Sequence, residues 1–309
     1  MLLKAAESVL NQSLKHLEYI IVDDCSTDNT QDVVHNLIKS DSRVKYLKND
    51  INSGQGISRR NGFRVARGKY AVFIDDDDFY TDMDFFEKAI NLFESNPEKN
   101  FAFVAANTKN YNMNTMTFTN HYIGCEGFVS GLDYMLSTTK PNSTFPTVFK
   151  SDVLKKSGLN TLAIFDTAVY YQAALLGNAY IFKDIIGTYT IHKNSVSVGY
   201  TQHQQYYDRK RSDQIEFIKI LDIIKCELQK QTNTTIANWW YLNNVLIFVN
   251  WCSKSSKSFL EQLGLMKDAV KVSSVPLKLC IKFITEPLKN NLRKITPLLK
   301  IYRMLRGRK

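Results

Sequence analysis

Cysteine is scarce and unpatterned: Cys25, Cys125, Cys226, Cys252 and Cys280 are odd in number, and no two form a CxxC pair. That argues against a disulfide framework and a structural zinc site, and it fits a reducing cytosol. No secretory signal opens the chain, and no uncharged apolar run approaches the roughly 18 residues of a membrane span. A glycine-rich phosphate loop near the N-terminus is also missing. Gly54-Gln55-Gly56 follows a polar stretch and lacks a third glycine, so it is not a dinucleotide fingerprint. His16, His35, His121 and His203 have no metal-ligand spacing and read as surface residues. The remaining composition, 44% hydrophobic and 23% charged over 309 residues, is that of a folded protein with room for one large domain or two smaller ones.

Balanced charge is lacking in one place only. From Lys267 to Lys309 there are twelve Lys/Arg and two acids, so the whole net charge of +10 resides in the tail. There Pro276-Leu277-Lys278, Pro287-Leu288-Lys289 and Pro297-Leu298-Leu299-Lys300 recur, each proline starting a short helix afresh. Interleaved apolar and basic residues suit an anionic bilayer surface. Aromatics are too sparse there for nucleic-acid binding, so no nucleic-acid partner is expected.

The chain before the tail alternates strand and helix. Residues 2–14 read as a helix with Leu2, Ala6, Val9, Leu10 and Leu14 on one face. Tyr19–Val22 is a buried strand ending at Asp23-Asp24, and Asp28 with Gln31 forms a capping box for the helix that follows. Val44–Leu47 is a short strand, Ser58–Arg67 a helix, and Ala71–Ile74 a strand buried on both faces. This strand runs abruptly into Asp75-Asp76-Asp77-Asp78. Four adjacent carboxylates repel one another, and a divalent cation held by Asp75 and Asp77 would turn that repulsion into attraction; the plain alternative is a solvated acidic turn. Met83–Glu94 is a helix and Phe101–Ala106 a strand. Residues 107–147 are polar and irregular, the kind of long loop that often carries function. Ser151–Ser157 and Thr167–Leu176 read as helices and Tyr180–Phe182 as a late strand. Tyr200–Ser212 looks like the edge of a domain spanning residues 1–200; a helical region, 201–309, follows, with an apolar stripe from Ile215 to Leu228. Short links between alternating elements imply an α/β fold with a mainly parallel sheet flanked by helices.

Six motifs stand in order: Glu7-Ser8-Val9-Leu10-Asn11-Gln12, Val22-Asp23-Asp24-Cys25-Ser26-Thr27-Asp28, Asn52-Ser53-Gly54, Ser58-Arg59-Arg60-Asn61-Gly62, Gly68-Lys69-Tyr70 and Ile74-Asp75-Asp76-Asp77-Asp78. Together they resemble the family 2 glycosyltransferases with their GT-A fold, from about Leu3 to Ser197. The resemblance implies transfer of a sugar from a nucleotide-sugar, UDP-linked by expectation, to an acceptor hydroxyl with inversion. It implies Mn²⁺ or Mg²⁺ on Asp75 and Asp77, and donor contacts from Asp23, Asp24, Ser26, Arg59, Asp76 and His192. The last belongs to a late Tyr189-x-x-His192-x-x-Ser195 pattern. Asp166 stands where the family carries its catalytic base, although Phe165 replaces the usual preceding Glu. Asp78 would only orient the turn.

The family's first element is a strand ending in Pro-x-Tyr-Asn, and the resemblance here starts in the helix after it. The expectation is a gap beside Tyr19–Val22, explained by a start further upstream, a damaged copy, or completion by a second copy in a homodimer. The implied setting is surface-polysaccharide or cell-wall glycan synthesis on a glycan or lipid-linked acceptor, in the cytoplasm or on the inner face of the cell membrane. Two rivals remain: a catalytically impaired binding module, and a sugar-phosphate nucleotidyltransferase.

Overall fold

The computed structural model describes residues 1–136, 141, 143–156, 166–193, 195, 204–238, 240–242 and 244–245. Phe165 and the basic tail lie outside the described residues. Two compact units divide the chain, Met1–Tyr200 and Thr201–Lys309.

The first unit opens with α1 (Leu2–Leu10), β1 (Tyr19–Asp23), α2 (Thr30–Ser40), β2 (Val44–Lys48) and α3 (Gln55–Val65). It continues through β3 (Tyr70–Ala71), β4 (Phe79–Tyr80), α4 (Phe85–Ser95), β5 (Phe101–Asn112), β6 (Thr117–His121), β7 (Gly127–Val129) and α5 (Gly131–Leu136). It closes with β8 (Thr147–Lys150), α6 (Ser151–Lys156), α7 (Asp166–Leu176) and β9 (Asn178–Ile191). The strands form two sheets. β1 and β2 pair in parallel by themselves, and the larger sheet runs β3-β8-β5-β9-β4, with β6 on β5 and β7 on β9. In the larger sheet only β5 and β9 are parallel among the described pairs, so the expected α/β layering carries a mixed sheet.

β5 is the spine. Phe101 to Thr108 are all buried, because helices and loops cover both faces and no polar alternation is required. The strand runs six residues past the expected Ala106. Its polar half is held by pairing with β6 and β9, which no apolar pattern announces. Asn107 sits at a register shift, donates from Nδ2 to the carbonyls of Phe182 and Lys183, and accepts from the Ile123 amide. Its buried side chain thereby supplies the bonds that the ladder loses there. β9 is likewise far longer than Tyr180–Phe182.

Two further expectations are corrected. The apolar run Ala71–Ile74 is a ladder strand only at Ala71, which faces Phe149 of β8. Val72 to Ile74 have no strand neighbour among the described residues, and neither does the second edge of β1. The unpaired edge of β1 lies where the gap beside Tyr19–Val22 was expected. The capping box is not formed either. Asp28 accepts from the Thr30 amide at 3.0 Å, while Gln31 accepts from Lys48 at 3.1 Å, so α2 starts after Asn29.

α1 is tied down by one buried amide. Gln12, fully buried, donates to the Asp82 carbonyl at 2.9 Å and accepts from the Phe86 amide at 3.3 Å, locking the end of α1 to the start of α4. α7 is buried almost all round, Ala168 to Ala174, between α5, α6 and β5. Its small residues allow close approach. A Cβ at Gly131 of α5 would lie 1.9 Å from the Ala174 carbonyl oxygen. Gly131→Ala is therefore expected to lower stability by about 2–3 kcal/mol, read as a drop in the chemical-denaturation midpoint.

The second unit is described chiefly by α8 (Gln204–Gln231). Its stripe of Ile218, Leu221, Ile224 and Leu228 is buried, as the periodicity predicts. Helix begins at Gln204, inside the polar stretch read as a domain edge. Among the described residues no helix is long and apolar enough to cross a membrane.

Candidate functional site

The first unit brings its carboxylates together at strand ends. Asp23 closes β1; its buried carboxylate accepts from the Ser26 amide at 2.7 Å and from the Tyr46 hydroxyl. Burial alone would raise the Asp23 carboxyl, but these hydrogen bonds outweigh it and hold the group below the usual range. Burial, then the Asp23 bond, pushes the Tyr46 phenol up to about 12. Asp24 fastens the loop ahead of α3, accepting from the amides of Ser53 at 2.7 Å and Gly54 at 2.6 Å and from Asn49 at 2.9 Å. Gly54 has φ +86°, a conformation that glycine adopts without strain, and it delivers the chain into α3.

α3 then reaches across to the aspartate cluster. Gln55 and Arg59, one turn apart on the same helix face, both donate to Asp75. The Arg59 guanidinium contacts both carboxylate oxygens, at 2.8 and 3.1 Å, and is itself largely buried. At the other end of the cluster His192 Nε2 lies 3.1 Å from Asp77 Oδ2. The His192 backbone is fixed by Ser195, whose hydroxyl accepts from the His192 amide at 2.9 Å. Asp78 is fully buried and accepts from the Thr190 amide at 2.9 Å, so it ties β9 to the turn. Asp76 is solvent-facing, and its charge, after burial, adds to the upward push on the Tyr19 phenol of β1.

Asp77, like Asp76, is held above the usual carboxylate range. Burial first, then the charges of Asp75 and Asp76, push its carboxyl up to about 6, against an opposing pull from His192. One oxygen each from Asp75, Asp77 and Asp78 lie within 4.8 Å of one another. An all-carboxylate donor set with one member starved of positive charge fits a hard divalent cation. Asp78 also accepts from the β9 backbone and Asp75 from Gln55 and Arg59, while Asp77 faces His192.

The structure thus gathers Arg59, Asp75, Asp77 and His192 by direct contact, and Asp23 and Asp24 around the loop that feeds α3. Ser26 is exposed beside Asp23. Asp166 is the first residue of α7. Sequence reasoning missed Gln55 and Asn49. Gln55 was findable from its spacing of four before Arg59 on a helix; Asn49, which also contacts Ser58 and Asn61, was findable only as the residue that follows a strand.

Carboxylates and cations converge where an α/β sheet binds its ligands, at the ends of strands. The chain belongs to glycosyl transferase family 2, whose model matches residues 1–157. It is a glycosyltransferase. A Campylobacter jejuni relative, GalNAc(5)-diNAcBac-PP-undecaprenol beta-1,3-glucosyltransferase, is 26% identical over 243 residues, 77% of this chain and 75% of the relative. S. aureus TarS residues 1–349, solved in complex with UDP-GlcNAc, is similar in structure at TM-score 0.64 and 15% identity, covering 88% of this chain and 77% of that one. The Pyrobaculum calidifontis mannosyltransferase solved with GDP-Man and Mn²⁺ is similar at TM-score 0.50 and 12% identity, over 98% and 79% of the two chains. These structural likenesses are likenesses of fold, and the fold is GT-A.

Proposed function

We propose that the chain transfers a hexose from a UDP-sugar to a hydroxyl of a lipid-linked glycan, with inversion, during polysaccharide or cell-wall glycan synthesis at the cytoplasmic face of the membrane. The observation that carries this reading is the meeting of Arg59 and His192 with the Asp75–Asp78 cluster at one place. Such a set neutralises and orients a diphosphate. The C. jejuni relative's name supports a polyprenyl-linked acceptor, and the TarS complex supports a UDP-linked donor.

Asp75 and Asp77 would hold Mn²⁺ or Mg²⁺, which when bound supplies charge stabilisation to the departing diphosphate. Asp23 and Asp24, with Ser26, would receive the donor's base and ribose, and Asp76 the ribose hydroxyls. Arg59 would turn from Asp75 to the diphosphate oxygens, a move its planar fork permits without losing a carboxylate-like partner. His192 would orient the diphosphate or complete the cation's oxygen shell. Asp166 would take the proton as the acceptor oxygen forms its bond to the anomeric carbon and the bond to UDP breaks.

A donor panel tests the reading: metal-dependent hydrolysis and transfer are measured for several nucleotide-sugars. Turnover of a UDP-sugar that stops on chelation is expected. Binding without any turnover would assign a binding module, and pyrophosphate release from a nucleoside triphosphate would assign a nucleotidyltransferase. The raised Asp77 carboxyl adds a pH signature, because a ligand carboxylate must be ionised. Mn²⁺ affinity, followed by calorimetry, is expected to be flat above about pH 6 and to weaken about tenfold per unit below it. Affinity constant down to about pH 4.5 would exclude Asp77 as a ligand.

A further inference from the structure

The hairpin of β5 and β6 carries a feature that the sugar-donor site does not use. From Asn110 to Cys125 the chain has no Asp, Glu, Lys or Arg. Yet the segment is exposed: Met116 is 70% exposed, Phe118 61%, Tyr122 55% and Met113 40%. An exposed stretch without charge and with four exposed large apolar side chains is an unusual thing to present to water alone.

The face is built, not ragged. Tyr111 and Phe118 are cross-strand partners, and their rings stack at 4.5 Å and 18°. The Tyr111 hydroxyl donates to Met116 Sδ at 3.2 Å, which draws the methionine onto the same face. Asn120 donates to the Tyr122 hydroxyl at 2.9 Å. The tip is set by Asn112, whose side-chain oxygen accepts from the amides of Asn114 and Thr115. Met116 then takes φ +55°, where glycine or asparagine is the unstrained choice. A long apolar side chain therefore occupies the one turn position that favours none.

Charge returns only at the margins of the segment. Lys109 on β5 lies behind the tip, Lys193 follows Ile191, the parallel partner of Asn112, by two residues, and both are exposed, as is Glu126 at the far end. Four residues of strand, about 13 Å, separate Lys109 from Met113. An apolar tip with aromatic hydroxyls and exposed lysines at its margins matches a phospholipid surface, acyl chains first and phosphates above. A nucleic acid or an acidic protein would need cations on the tip itself. Four side chains also fall short of the ~800 Å² per partner of a stable protein interface. The hairpin adjoins the sugar-donor site: the Met113 amide donates to the Ile191 carbonyl at 2.8 Å, one residue before His192.

We propose that the β5–β6 hairpin inserts Met113, Met116, Phe118 and Tyr122 into the surface of a phospholipid bilayer and so holds the mouth of the donor site against the membrane. The inference deepens the lipid-linked acceptor reading and rests on it for its purpose alone.

Flotation of the full chain with phosphatidylcholine vesicles, with and without phosphatidylglycerol, tests the proposal, since apolar insertion survives high salt and attraction through the basic tail does not. Binding to neutral vesicles at high salt is expected, and the M116S/F118S double variant should weaken it roughly tenfold or more. Both positions are exposed on a hairpin, so the variant keeps its fold, checked by its thermal midpoint. In F118W, lipids brominated on their acyl chains should quench the added emission. Undiminished flotation of the double variant, or no flotation of the parent at high salt, would overturn the proposal. So would a parent dimer that the variant dissolves without any vesicle binding, which would give the face to a second copy. Solution hydrolysis of the sugar donor is read in parallel. Its absence would sink the glycosyl-transfer reading while vesicle binding still stood, and the reverse holds equally.

Discussion

Asp77→Asn is expected to lower metal-dependent turnover by roughly 10²-fold or more while leaving the protein as stable as before or more so. The two halves of that result come from one observation. Asp77 is mostly buried among like charges, and its carboxyl is pushed up to about 6 from an ordinary value of 3.8. A folded-state value above the unfolded one means that the native state binds the extra proton between those two pH values. Stability is therefore fully present below about pH 4 and declines as pH rises through about 6. At neutral pH the ionised Asp77 costs the metal-free fold stability, and asparagine, of nearly the same volume, removes that cost. Thermal unfolding of the metal-free protein at pH 7 should show an unchanged or higher midpoint beside the lost turnover. Asp78→Asn is the internal contrast. That residue is fully buried and accepts from the Thr190 amide, so its change should lower the midpoint. A fall in midpoint for Asp77→Asn with turnover retained would make Asp77 a structural carboxylate.

The sequence made the site more legible than the sheet that carries it. Paired acids at the end of an apolar strand are visible as a pattern, and Asp23, Asp24 and Asp75 to Asp78 all lie at such ends or just beyond. The physical reason is that strand termini and charge clusters are local in sequence. What is not local was misread. Ala71–Ile74 has the composition of a buried strand, but a ladder needs a paired neighbour, and among the described residues only Ala71 of this run has one. The polar half of β5 reads as loop because Asn107 to Asn112 carry no apolar alternation; their strand state is imposed by β6 and β9. Division of labour within the cluster was partly readable too. That Asp78 is a strut and Asp77 a half-buried charge facing a histidine depends on Thr190 and His192, more than a hundred residues away. The grip of Gln55 and Arg59 on Asp75 links two motifs that the sequence could only set in order.

Asp166→Asn is the substitution expected to separate chemistry from binding. Turnover with acceptor present should fall by about 10²–10⁴-fold, the usual contribution of a positioned general base. Donor KM and metal affinity should stay within about twofold, because the proposed donor site draws on other elements, β1, α3 and the Asp75–Asp78 turn. The alternative for Asp166 is that it serves only to start α7, of which it is the first residue. Asparagine discriminates between these roles cleanly. It is as good as aspartate at a helix start, so a purely capping residue would lose little stability and no activity. A general base loses its proton-accepting oxygen charge entirely. The pH–rate profile gives a readout that a structural role would not move: the acidic limb due to ionisation of the base should vanish in the variant. α7 is suited to hold such a group still. Ala168 to Ala174 are buried on every side, so the body of the helix is held firmly by its neighbours. Asp166→Asn with full activity and an unchanged pH profile would move the base elsewhere in the first unit and leave Asp166 as a helix start.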